Sequence, residues 1–160
     1  MPVDFRVPKW LHDYALCWCD RLGLNDWNVA VRLELAIDGD ETTRGAVEIY
    51  QNIHKAIIKI RADVEDNAEG QQTVVHELLH VKHEKIDQLV RDVVLPELDK
   101  QAANVVRSVY LNVLEEFIEL ESCLLWRLAQ ATDAPVERKK GKKRDAGNKV
   151  EKKPEEAKGV

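Results

Sequence analysis

Thr73-Val74-Val75-His76-Glu77-Leu78-Leu79-His80-Val81-Lys82-His83-Glu84 decides the reading of this chain. Val75, Leu79, Ile86, Val90 and Val93 recur at spacings of three, four and seven, which predicts one long helix from about Asn67 to Leu95. Asp66 with Glu69 three residues on fits a capping box at its start. Pro96 ends or kinks it. On such a helix His76 and His80, at i and i+4, stand about 40° apart, one turn above the other. Both imidazoles can therefore reach one ion at the ~2.0–2.1 Å bond length of zinc. Glu77 projects from an adjacent part of the helix, where it can meet a water beside the ion without binding the ion itself. The chain has 160 residues and five histidines; a chance His-Glu-x-x-His has a probability of roughly 2%. The motif is therefore read as a site, ahead of an ordinary helix with two histidines near a core.

A catalytic zinc needs a third protein ligand and an open position. Downstream, residues from about Glu97 to Ala131 read as a second long helix, with Leu114, Phe117, Ile118, Leu124, Leu125 and Leu128 as its apolar stripe. With Leu114 at the origin of a helical wheel, Glu115 falls at about 100° and Glu119 at about 140°, beside the stripe. Glu116 falls at about 200°, facing solvent. Glu115 is the preferred ligand, with Glu116 and Glu119 as alternatives. Glu119 also suits a hydrogen bond to a ligand histidine. Glu121 falls inside the stripe and needs a partner that the sequence does not name.

Upstream, residues 8–22 read as an amphipathic helix with Leu11, Tyr14, Ala15, Trp18 and Leu22 on one side and Gly23 as its stop. Residues 27–35 alternate, with Trp27, Val29, Val31, Leu33 and Leu35 facing one way, as a half-buried strand does. Residues 45–50 and 55–60 are two more short strands, paired as a hairpin across Gln51-Asn52. Cys17 and Cys19, two apart on a helix, point in different directions and read as buried thiols rather than metal ligands.

The expected class is α+β: an N-terminal helix, a three-stranded sheet, a long site-bearing helix and a second long helix, in one domain over residues 1–131. Residues 132–160 are read as a disordered charged tail with too little apolar surface to offset its ordering entropy. Residues 131–160 carry ten Lys and Arg against six Asp and Glu, so the net charge of −5 divides into a tail of +4 and a body of −9. An acidic body is not a nucleic-acid surface. The run Arg138 to Arg144 offers phosphate-type contacts but lacks aromatics for base stacking. No apolar run approaches the ~18 residues of a membrane span. The first residues hold no apolar signal-peptide core, and three cysteines make no disulfide framework, so the expected location is the reducing cytoplasm.

The segment 73–84, the sheet before it and the helix carrying Glu115-Glu116-Phe117-Ile118-Glu119-Leu120-Glu121-Ser122 resemble the zincin metallopeptidases. The likeness is nearest to the gluzincin-like branch, whose third ligand is Glu. The arrangement is also similar to small phage- and prophage-borne metallopeptidase-like proteins and, more distantly, to ImmA/IrrE-type peptidases. In those, Glu-x-x-(small or apolar) opens the third-ligand stretch and a small residue stands seven on. Glu115, Ile118 and Ser122 fit, while Glu121 stands where an apolar residue is expected. The resemblance spans Trp27 to Trp126. It implies a minimal zincin fold in a bacterial or phage-encoded protein, Zn2+ on His76, His80 and Glu115, and a peptide or protein substrate lying along an edge strand. Metzincins fit less well, because His83 stands where they have glycine. The expected activity is peptide hydrolysis with Glu77 as general base. His83, Tyr110, Tyr50 and His54 are candidates for the donor to the oxyanion or substrate. The alternative is a non-catalytic zinc-binding or adaptor module on the same scaffold.

Overall fold

The computed structural model describes residues 6–133. The expectations for the basic run and the tail from residue 134 onward lie outside the described residues. Helix α1 spans Lys9–Leu22, strands β1, β2 and β3 span Asn28–Glu34, Gly45–Tyr50 and Lys55–Arg61, and helices α2 and α3 span Ala68–Leu89 and Lys100–Asp133. The class is α+β, with three α-helices and one three-stranded sheet among the described residues.

The core follows from the apolar face of each element. Strand β3 is central: the order is β1-β3-β2. Its run Ala56-Ile57-Ile58-Lys59-Ile60 is buried throughout. A strand covered on both faces reads as a continuous apolar run, and Lys59 is the interruption. Its ammonium lies 2.7 Å from both Asp38 and Glu48, and those two hydrogen bonds raise its pKa. Ala56, Ile58 and Ile60 join Val74, Val75, Leu78 and Leu79 of α2, Leu11, Ala15 and Trp18 of α1, and Ile118 of α3 in one cluster.

The β2–β3 hairpin closes as expected, through a short 3₁₀ turn at Gln51–Ile53 and a left-handed His54. Strand β1 runs parallel to β3, a pairing that alternation along one strand cannot reveal. Leu35 departs from the expected inward face and is 67% exposed, because β1 ends at Glu34. Gly23 ends α1 with φ 71°, its N–H bonded to Asp20 and that of Leu24 to Cys19. Cys19 is buried but Cys17 is exposed, so only one of the two thiols expected in the interior is there.

Helix α2 begins one residue later than the capping box suggests. Asn67 is the N-cap, its side-chain oxygen accepting the Gly70 N–H at 3.0 Å. Asp66 accepts instead from the Gln71 amide at 2.8 Å, and Glu69 pairs with Arg44. Val75 and Leu79 are buried as expected, but Ile86 and Val93 are more than half exposed. The helix loosens into one π turn at Val90–Val94 before the 3₁₀ turn holding Pro96. In α3 the buried face holds half of the expected stripe. Ile118, Ser122 and Ala129 are buried, with Leu114 and Leu125 packed against the core, whereas Phe117, Leu124 and Leu128 are 52–58% exposed.

Candidate metal centre

Helix α2 presents His76 and His80 toward α3, and their Nε2 atoms lie 3.2 Å apart. The rings meet edge to face, centroids 5.0 Å apart. From α3, Glu115 reaches between them: its two carboxylate oxygens lie 3.5 Å from His76 Nε2 and 3.5 Å from His80 Nε2. Among the described residues these three form the group whose donor atoms are close enough to share an ion. Glu119, one turn along α3, lies 3.3 Å from His76 Nδ1. A proton held on Nδ1 there leaves the Nε2 lone pair directed at Glu115 and His80. Burial lowers the His80 pKa despite the opposing charge of Glu115, so the neutral, lone-pair-bearing ring is favoured. Glu116 is exposed and outside this group.

Glu77 is 5% exposed. Desolvation, helped by the charge of Glu115, pushes its carboxyl up to about 8. A divalent cation beside it would reverse that cost. Glu77 lies against the start of β2. A Cβ added at Gly45 would stand 2.6 Å from Glu77 Oε1 and 2.7 Å from Thr73 Cγ2. Only a glycine lets the strand approach this closely. Gly45→Ala is therefore expected to lower stability by about 1–3 kcal/mol. The same substitution in a Glu77→Ala background should cost measurably less, because the two share the clash. Equal costs in denaturant titrations of both backgrounds would show that Glu77 does not fill this space.

A cavity of about 370 Å³ opens beside Glu77, lined by Arg44, Gly45, Glu69, Thr73, His76 and Glu119 among others. Arg44 and Gly45 went unnoticed in the sequence. A glycine opening a strand is the one local signal, since it marks close backbone approach. Arg44 has no signal short of the fold.

The other candidate donors lie elsewhere. His83 Nε2 is 2.7 Å from Glu121 Oε2, and its ring meets Phe117 edge to face. Lys82 also reaches Glu121, at 3.0 Å. Burial alone would raise the Glu121 carboxyl, but these two hydrogen bonds outweigh it and hold it below the usual value. Glu121 thus has the partners its position demands. Tyr110 lines a separate cavity with Asp87, Arg91 and Arg107. Tyr50 donates to Glu48 at 3.0 Å. His54 stacks on Trp27 at 5.3 Å and lies 3.2 Å from Asp26. None of the four lines the cavity beside Glu77. No helix among the described residues is long and apolar enough to cross a membrane. Compared with protein-family models, curated proteins and solved structures, the chain finds no match, so a functional reading rests on the geometry of this site.

Proposed function

We propose that the protein is a zinc-dependent peptidase on a minimal zincin-like scaffold, with His76, His80 and Glu115 as ligands and Glu77 as general base. One observation carries the reading. Ligand atoms bound tetrahedrally at ~2.1 Å from a common centre stand roughly 3.3–3.5 Å apart. The two Nε2 atoms stand 3.2 Å apart and each lies 3.5 Å from a different oxygen of Glu115, so one donor atom from each residue lies within 4.8 Å of the others, near that spacing. Two imidazoles and one carboxylate, three protein ligands rather than four, match the donor set of a catalytic rather than a closed structural zinc site.

A zinc ion held there supplies Lewis acidity and a water whose pKa falls to about 7. Glu77 stands between the two histidines on α2 and lines the cavity, where its carboxylate would take a proton from an attacking water and return one to the leaving amine. Strand β2 is an edge strand, and its start at Gly45 lines the cavity. An extended peptide pairing with that edge would be led past Glu77.

The test is a zinc titration of metal-stripped protein with peptide hydrolysis measured in parallel. One equivalent should bind, His76→Ala and His80→Ala should abolish binding, and Glu115→Gln should weaken it by about tenfold or more. Hydrolysis should appear only with the metal. A chain that takes up no zinc overturns the reading. One that takes up an equivalent but hydrolyses none of a broad peptide library is the non-catalytic zinc-binding module instead.

A further inference from the structure

We propose that the outward face of α3 is the interface of a symmetric homodimer, built by antiparallel pairing of α3 with the α3 of a second copy. The face is unusual for a surface. Val105, Val109, Val113, Phe117, Leu120, Leu124 and Leu128 recur at intervals of four, four, four, three, four and four, and all are 52–72% exposed. On a helical wheel with Val105 at the origin they fill one arc of about 140°. Glu115 falls at about 280° and Glu119 at about 320°, both outside the arc. The ligand side of α3 is therefore distinct from this face.

Segments of the same chain outside the described residues do not suit it. The stripe runs from residue 105 to residue 128, roughly 35 Å along the helix, whereas residues 1–5 fully extended reach at most about 18 Å. Residues 134–160 contain no aromatic residue, leucine or isoleucine, and only three valines, so they have almost nothing apolar to lay against it.

A second copy fits in both area and charge. At these exposures the seven side chains leave roughly 600–700 Å² of apolar surface in water, more than monomers usually expose and close to the ~800 Å² per partner of a standard interface. Within that arc, from 0° to about 140° on the wheel, the only charged residues are Glu116 at about 20° and Arg127 at about 40°, one of each sign. Both are exposed, and among the described residues neither has an ion-pair partner. Antiparallel pairing about a dyad beside Leu120 sets Phe117 against Leu124 of the second copy and Val113 against Leu128 of the second copy. The same register brings Glu116 to Arg127 of the second copy, and symmetry makes that pair twice. A face whose only two charges satisfy each other in the register that aligns its apolar residues is self-complementary.

Sedimentation velocity and light scattering on the full chain at micromolar concentration test this. The expected mass is twice the chain's 18.3 kDa. The double variant Phe117→Glu with Leu120→Glu should be a monomer with unchanged helical circular dichroism, because both side chains are more than half exposed and outside the core. Glu116→Arg and Arg127→Glu should each weaken the dimer about tenfold or more, since each turns two attractive pairs into repulsive ones. The double swap should restore it. A monomer at every concentration overturns the proposal, as does a dimer indifferent to Phe117→Glu with Leu120→Glu. A dimer that both single swaps leave intact overturns the antiparallel register.

Discussion

Glu77→Gln is expected to bind zinc as tightly as the natural chain and to hydrolyse peptides at least about 10²-fold more slowly, with the loss in kcat rather than KM. Glutamine keeps the shape that packs against Gly45 but cannot accept the proton. A second consequence of the same substitution separates the role of the carboxylate from that of its bulk. In metal-free protein the buried carboxyl titrates at about 8, against 4.5 when free. The folded state therefore holds a proton that the unfolded chain has lost, and stability falls as pH rises between those values. Metal-free Glu77→Gln lacks that slope, so it should match the natural protein near pH 4 and exceed it above pH 8. With zinc bound the advantage should vanish, because a cation favours the carboxylate. Urea titrations across pH, with and without zinc, measure this. A variant that cleaves as fast as the natural chain would end the general-base assignment, whatever the stability curves show.

Local signals survive into the fold where one element's own chemistry decides the outcome. The His76–His80 spacing needs only helical geometry, and α2 delivers the two Nε2 atoms to within 3.2 Å. The hairpin at Gln51–Ile53 needs only two short apolar runs and a turn. Glu115 is legible because the wheel puts it beside the apolar stripe, although only half of that stripe is buried. The arc from Leu114 to Ile118 and Leu125 faces the core, while Phe117, Leu124 and Leu128 face water. Helix α3 is apolar around more than half its circumference, so hydrophobicity alone cannot say which half meets α2. The polar residues hold that information. Glu121 is half-buried because Lys82 and His83 face it, and Ser122 is buried while donating to the Glu119 carbonyl at 2.9 Å. The parallel β1–β3 pairing and the Arg44–Glu69 contact join residues far apart in sequence, and no periodicity records such contacts.

Ile118→Ala carries the largest expected effect on the fold, and it tests whether the fold sets the metal site. Ile118 is fully buried in the same apolar cluster as Val75 and Leu79, and it sits on α3 between Glu115 and Glu119. Removing a buried side chain of this size is expected to cost about 2–5 kcal/mol, on the order of 10–20 °C in Tm. The loss should not stop at stability. Glu115 meets the histidines only while α3 is docked on α2, and Ile118 is, among the described residues of α3, the fully buried apolar side chain that docks it. Zinc affinity should therefore fall as well, yet saturating zinc should restore part of the Tm, because binding to the folded state alone stabilises it by RT ln(1 + [L]/Kd). At a thousandfold excess over Kd that is about 4 kcal/mol, comparable to the loss itself. In an Ile118→Ala, Glu115→Gln double variant the zinc-dependent recovery should shrink, since the preferred charged ligand on α3 is then gone. Thermal unfolding of the natural chain and the variants, with chelator and with zinc, reads all of this. If zinc raises Tm equally in the single and double variants, then Glu115 is not a ligand, and the pair of histidines must find its third donor elsewhere.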